Sequence, residues 1–244
     1  MREKADFLID ILKKYFWKEK KRAFTDIDYL TEKQCDEAIG YDSFEPFIEN
    51  IVGNDFYEAF SNVDTIFNTE FSIPTVETDC PMYWFDNELV GPANATLQNP
   101  HEYDCCWNGP VWPYANTLFL EGLGTVAKND EKFTLKWLNA FESYTDLHFL
   151  KGDRSLPVIC EHYCPTDGRT FSQQFDYFHS KWIDLFMKYY VGITVDNGKL
   201  VDFKPFAKEE FEITNVKIGD SIYNFSNIYS NETETFLCKY EKIQ

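Results

Sequence analysis

The chain has 244 residues, of which 44% are hydrophobic and 18% aromatic, and its formal net charge is −18. This length suffices for one large domain with a smaller appendage, and so much aromatic surface requires a large core or an aromatic-lined cleft. The acidic charge argues against nucleic acid and anionic membranes as partners, and it suits a neutral or cationic ligand.

No segment of the sequence approaches the ~20 consecutive apolar residues of a membrane span. The opening MREKADFLIDILKKYFWKEKK has the apolar spacing of a helix face, not the continuous core of a signal peptide. The odd count of seven cysteines then predicts mostly reduced thiols in a cytoplasmic protein. A zinc set is disfavoured because an adjacent Cys-Cys pair is poor ligand spacing, so we expect no metal and no cofactor. The cysteines weighed for that set are Cys105, Cys106, Cys160 and Cys164.

Six helices are predicted in the first 190 residues from apolar positions that recur with helical spacing. They are expected as an N-terminal stripe ending near Phe16, then at about 44–52, 55–67, 112–127, 130–150 and 177–190. The segment EKKRAFTDID, which ends at Asp28, breaks the first pattern and is expected to form a short extended turn. Two long irregular stretches, rich in proline and aromatic residues, lie between helices, and loops of this kind usually carry function.

The character of the sequence changes after residue 190. The segments DNGKLVDFKPF, FEITNVKIGDSIYNFSNIYS and ETFLCKYEKI place turn signals between β-type runs. We therefore predict a mainly helical domain at 1–190 and a small β appendage at 191–244.

Three segments together carry a family resemblance. They are IPTVETDCP at 73–81, WNGPVWP at 107–113 with Asn116 one helical turn further on, and EHYCPTDG at 161–168 followed by YFHS. In this order they resemble glycoside hydrolases with an (α/α)6 barrel, in the family 63 and mannosylglycerate-hydrolase-like group that includes α-glucosidases and relatives of trehalase. The earlier AFTDID and SFEPFI resemble two further segments of this family. The resemblance implies an all-α fold, the C-terminal half of an (α/α)6 toroid with about six helices, followed by the β appendage.

The resemblance also implies inverting hydrolysis of α-glucosidic or α-mannosidic bonds, in which two carboxyl groups about 6.5–9.5 Å apart act as acid and base. It places the general base at Glu161. Indole rings suit the C–H faces of sugars, and amides suit their hydroxyls. The residues expected to contact a saccharide are Trp107, Asn108, Gly109, Trp112, Asn116, His162, Tyr163 and His179.

Structural roles remain open for some of these residues. Trp112 equally suits packing between helices, and Asn116 equally suits a bond to a loop carbonyl. The sequence departs from the family pattern at three places. Asn108 stands where Arg is common, His179 stands where Trp is common, and Thr166-Asp167-Gly168 carries an insertion relative to a plain Thr-Gly. In the long loop before the second motif, Asp86 and Glu88 are weaker candidates for ligand contact.

No segment of this sequence matches the one that carries the family's general acid. We therefore expect a glycoside hydrolase fragment that is incomplete without an N-terminal half to supply the general acid, either as the C-terminal portion of a longer enzyme or as the product of a split gene. Its substrate is expected to be an oligosaccharide or glycoside, and its partner an N-terminal half-barrel polypeptide or a second copy of the chain. A catalytically inactive remnant that still binds saccharide is the first alternative. A sugar epimerase on the same barrel is the second, and it would need a histidine acid–base pair. The available histidines are His101, His148, His162 and His179.

Overall fold

A computed structural model describes residues 2–35, 38–80, 83, 107, 109–171 and 181–244. The chain divides into two units, Met1–Ser180 and Lys181–Gln244, whereas the sequence analysis placed the boundary between residues 190 and 191. Within the described residues no helix is both long and apolar enough to cross a lipid bilayer.

The predicted all-α half toroid is wrong. The residues that the structure describes are about 38% helical and 25% strand, and their nine strands form four sheets. Short hairpins replace the extended turn expected near the N-terminus, and several predicted helices are shorter or are 3₁₀ helices. The chain therefore mixes α and β structure in its first unit as well as its second.

The first unit begins with helix α1 (Arg2–Ile11), which continues as a π-helical turn (Leu12–Phe16). Two antiparallel hairpins follow, β1 (Trp17–Lys18) with β2 (Ala23–Phe24), and β3 (Ile27–Asp28) with β4 (Lys33–Gln34). The second hairpin turns at Asp28, whose carboxylate accepts hydrogen bonds from two following backbone N–H groups at 2.8 and 3.0 Å. This Asx-type turn competes with a helix, as aspartate side chains do in loops.

The predicted second and third helices are mainly 3₁₀ structure. They appear as the 3₁₀ helices Tyr41–Phe47 and Asn54–Phe60, with the short helix α2 (Val63–Ile66) after them. Pro46 lies inside the first of these, and Asn50 and Gly53 between them have φ values of 50° and 79°. Proline has no N–H to donate to the helix, and a positive φ does not fit a right-handed helix. Pro46, Asn50 and Gly53 therefore prevent a continuous α-helix here.

Helices α3 (Pro113–Asn129) and α4 (Thr134–Asp146) are the longest in the described part of the first unit. Pro113 occupies the first turn of α3, where its missing N–H is tolerated. At Gly122 a Cβ atom would lie 2.8 Å from the carbonyl oxygen of Phe44, so glycine permits the close approach of the 3₁₀ helix Tyr41–Phe47. The Trp137 indole N–H on α4 donates to the Leu120 carbonyl of α3 at 3.0 Å.

The second unit starts with α5 (Trp182–Leu185) and a π-helical turn (Phe186–Tyr190), which lie within the predicted sixth helix. A hairpin of β5 (Ile193–Asp196) and β6 (Lys199–Phe203) turns at Asn197-Gly198, where both residues have positive φ, the pattern of a tight hairpin turn. The strands β7 (Phe211–Ile218), β8 (Ser221–Ser230) and β9 (Thr235–Lys242) form an antiparallel sheet. Its core includes Ile218 and Phe225.

Phenylalanine rings form the centre of the first unit. The fully buried Phe60 packs against Phe44 at 4.9 Å, Phe47 at 5.0 Å and Phe119 at 5.8 Å between ring centroids. This cluster joins both 3₁₀ helices to α3.

Replacing Phe60 by Ala is expected to lower the free energy of unfolding by about 3–5 kcal/mol, because it removes a buried ring and leaves a cavity. Urea denaturation followed by tryptophan fluorescence measures this change, since of the six tryptophans only Trp182 lies beyond residue 180. The matched control is Phe7→Ala, whose ring is 62% exposed and whose loss should change stability by less than about 0.5 kcal/mol. Equal effects of the two substitutions would refute this assignment of the core.

Candidate functional site

The sequence motifs, which lie far apart along the chain, are hydrogen-bonded to one another. Val111 of the second motif and Tyr163 of the third form an antiparallel pair in which each N–H donates to the other's carbonyl at 2.9 Å. The N–H of Gly109 donates to the hydroxyl of Thr75, in the first motif, at 3.1 Å. The second motif therefore bridges the other two.

Phe71, just before the first motif, joins it directly to the third. Its N–H donates to the carbonyl of Pro165 at 3.1 Å, and its ring lies against Gly168. There a Cβ would come within 2.8 Å of the ring carbons, and φ is +65°. Only glycine satisfies both constraints, so the last residue of EHYCPTDG has a packing role.

Asn116 fastens the loop of the first motif to helix α3. Its side-chain oxygen accepts from the N–H of Ile73 at 3.1 Å and from the hydroxyl of Ser72. Its amide nitrogen donates to the carbonyls of Ile73 at 3.0 Å and Trp112 at 3.1 Å. The residue is fully buried. The bond to a loop carbonyl that the sequence left open is therefore present, and its amide is used inside the protein.

Three rings from the second and third motifs form a continuous stack. The ring centroids of Trp107 and Trp112 are 4.1 Å apart with an interplanar angle of 17°, and those of Trp112 and His162 are 4.9 Å apart at 16°. Trp107 is 43% exposed, whereas Trp112 and His162 are buried. We call these residues the ring stack. Trp107 is the exposed ring of the three, and the two buried rings fix its position.

Glu161 lies at the inner end of the ring stack. One of its carboxylate oxygens is 3.8 Å from Nδ1 of His162, and its side chain keeps 13% of its accessible surface. A carboxylate that is held beside a buried ring yet still reaches solvent can accept a proton from a bound water, which is the task of a general base.

Tyr163 and Gly109 were also predicted to contact a saccharide. The Tyr163 hydroxyl accepts from the N–H of Cys160 at 2.7 Å and donates to the carbonyl of Val158 at 3.2 Å. Burial raises the pKa of Tyr163 well above its ordinary value, so the phenol stays protonated and holds the loop that precedes Glu161. Both residues are buried.

Several residues singled out in the sequence lie outside the described residues, so the structure places none of them. They are Asp86, Glu88, His101, Cys105, Cys106, Asn108 and His179. Of the remaining histidines, His148 bonds the Tyr144 carbonyl through Nδ1 at 2.9 Å, and burial lowers its pKa. In the described part of the chain, no group of His, Cys, Asp or Glu is arranged to hold a metal ion.

Two residues near the site had not been singled out from the sequence. Tyr41 lies 5.8 Å from Trp107 between ring centroids, tilted by 37°, and its N–H donates to the Thr75 carbonyl at 3.2 Å. Thr75 in turn accepts from Gly109. Two features of the sequence could have indicated these residues. Thr75 lies inside the first motif, and Tyr41 lies just before SFEPFI.

The family that the motifs resemble is also the one that a comparison with family models finds. A family model described as the mannosylglycerate hydrolase MGH1-like glycoside hydrolase domain matches residues 1–180. A search of curated proteins gives no match. Among solved structures, the chain is similar to the GH63 mannosylglycerate hydrolase from Thermus thermophilus in complex with glucose, with 15% identity and a TM-score of 0.49. The match covers 75% of this chain and 37% of that chain, so this chain spans little more than a third of that enzyme's length.

Replacing Asn116 by Ala is expected to lower the free energy of unfolding by about 2–4 kcal/mol, because it leaves the buried N–H and C=O of Ile73 without partners. Asn129→Ala is the matched control on the same helix. Among the described residues its exposed amide bonds the Thr125 carbonyl alone, so its loss should change stability by less than about 0.5 kcal/mol. Urea denaturation measures both variants, and a loss at Asn116 no larger than the control's would contradict the anchoring role.

Proposed function

Because the chain belongs to the mannosylglycerate hydrolase MGH1-like glycoside hydrolase family, we propose that it hydrolyses α-glucosidic or α-mannosidic bonds with inversion, using Glu161 as the general base. The observation that carries the proposal is the ring stack with Glu161 at its inner end. An exposed indole that two buried rings hold in place offers a flat apolar face to a sugar ring. The carboxylate at the inner end of the stack, beside His162, supplies the base.

In an inverting reaction the base removes a proton from the attacking water while an acid protonates the departing glycosidic oxygen. Water attacks the anomeric carbon from the face opposite the leaving group, so the configuration at that carbon inverts. His162 lies against Glu161 and packs on Trp112. Its role in this proposal is to fix the direction of the carboxylate.

We assign the general acid to an N-terminal half-barrel outside this sequence or to a second copy of this chain. Support comes from the first helix, since no residue of α1 is buried, and Phe7 and Leu8 are 62% and 52% exposed. An apolar helix face that is open to solvent is typical of a surface that another chain covers.

A saccharide-binding protein without turnover is the second candidate. It is favoured by the same exposed indole, because stacking on Trp107 requires no acid or base. The two candidates differ in one measurable property, the release of product when the partner is present.

Glu161→Gln should reduce nitrophenol release from p-nitrophenyl α-glucoside by about 10²–10⁴-fold in the presence of the partner polypeptide, because the amide cannot take up the proton. Glu142→Gln, which changes an exposed acid on α4, should leave the rate unchanged. The anomer formed first, followed by NMR, reports inversion. A full rate in Glu161→Gln would remove Glu161 from the role of base, and binding without turnover under every pairing would favour the second candidate.

Trp107→Ala should weaken saccharide binding about three- to tenfold, the loss expected for one aromatic stacking contact, while Trp107→Phe should retain most of the affinity. A ligand-observed NMR titration with glucose or methyl mannoside measures the change. Trp182→Ala, in the other unit, is the control for general effects of removing an indole. Unchanged affinity in Trp107→Ala would place the sugar away from the ring stack.

A further inference from the structure

A cleft of about 600 Å³ has the exposed Trp107 in its lining. It lies between the segment that follows β2 and the 3₁₀ helix Tyr41–Phe47. We call it the carboxylate cleft, and the residues that matter here are Thr25, Asp26, Tyr41, Asp42, Glu45 and Trp107. Apolar side chains, among them Phe16 and Phe24, also line it.

The acids of the cleft have no cationic partner within the described residues. Asp26, Asp42 and Glu45 form no ion pair with the lysines, arginines or histidines of that part of the chain. The nearby cations are bound to other acids, Lys21 to Glu77 at 2.5 Å and Arg22 to Glu58 at 3.0 Å. The negative charge of the cleft is therefore not neutralised by those side chains.

The carboxylates also act on one another. Burial, and then the charge of Asp26, raise the pKa of Asp42. Burial, and then the charge of Asp42, raise the pKa of Glu45. The chain keeps Asp42 in this position, since its Oδ1 accepts from the N–H of Ser43 at 3.1 Å and lies over Gly40, where a Cβ would come within 2.3 Å of it. A bound cation would relieve this repulsion.

A buried hydroxyl gives an independent indication of a ligand. Thr25 lines the cleft and is 4% exposed, and its Oγ1 has no hydrogen-bond partner among the described residues. A buried hydroxyl without a partner is destabilising, so such groups are nearly always satisfied. A polar ligand atom in the cleft would satisfy it.

The aromatic wall identifies the kind of cation. Trp107 and Tyr41 line the cleft together with the acids, and the two rings pack against each other with their centroids 5.8 Å apart. Indole and phenol faces attract ammonium groups as well as sugar C–H faces. A bare metal ion would gain nothing from these rings. A ligand that combines a sugar ring with an ammonium group would use the rings, the carboxylates and the Thr25 hydroxyl together.

We propose that the carboxylate cleft binds the protonated amine of an amino sugar whose ring stacks on Trp107. This inference rests on the proposed function, because Trp107 belongs to both the ring stack and the cleft. To the proposed function it adds that the substrate carries a positive charge. The carboxylates attract an ammonium group and repel the carboxylate of an acidic sugar, and the net charge of −18 acts in the same direction on approach.

The test is an NMR titration of the whole chain with glucosamine, N-acetylglucosamine and glucuronate at about pH 6, where the free amine is protonated. Glucosamine is expected to bind about tenfold more tightly than N-acetylglucosamine, the gain of one charge-assisted hydrogen bond, and glucuronate most weakly. Asp42→Asn keeps the acceptor for Ser43 and should abolish the preference for the amine. Glu45→Gln should reduce it. Equal affinities for the three sugars would overturn the proposal.

Matched controls separate this inference from the proposed hydrolysis. Glu49→Gln removes a nearby acid that does not line the cleft, and it should leave the preference intact, as should Glu161→Gln. A preference for the amine that persists in Asp42→Asn would refute the cleft as its source. Hydrolysis that depends on Glu161 without any preference for the amine would defeat this inference alone. The preference without hydrolysis would defeat only the catalytic proposal.

Discussion

The buried side chain of Asn116 is the interaction on which the rest of the site depends. One amide satisfies the backbone N–H and C=O of Ile73 while it also bonds the Trp112 carbonyl within helix α3. Loop backbone that enters the interior must find such partners, because unpaired polar groups there are costly. With the loop fixed, Thr75 is in place to accept from Gly109, and the turn that carries Trp107 is held next to it.

The ring stack follows from this framework. Val111 and Tyr163 form an antiparallel backbone pair. Trp112, which follows Val111, therefore lies opposite His162, which precedes Tyr163, and the two rings stack. Trp107 then stacks on the outer face of Trp112. Buried rings position an exposed ring without flexible linkers, which is the rigidity that a binding face requires. The same exposed ring forms a wall of the carboxylate cleft, so one indole connects the proposed base to the proposed charge selectivity.

The three motifs identify the family correctly. The order of IPTVETDCP, WNGPVWP and EHYCPTDG predicted the mannosylglycerate-hydrolase-like group, and the family match over residues 1–180 confirms it. The predicted fold class was wrong because apolar residues with helical spacing were taken to form α-helices across residues that cannot continue one. Pro46 and the left-handed Asn50 and Gly53 divide the 44–67 region. The charged segment near Asp28 forms hairpins whose strands of two residues carry no detectable alternation.

The sequence by itself determined the local features and the family. Pro113 at the first turn of α3 and the Asn197-Gly198 turn between β5 and β6 act through the backbone of their own neighbours. Only the tertiary structure decided which residues meet. In it the Asn116 amide hydrogen-bonds Ile73, and Tyr41 packs against Trp107. Asp26, Asp42 and Glu45 line one cleft. Such contacts depend on how distant segments pack, and hydrophobic periodicity holds no information about them because it describes only one element at a time.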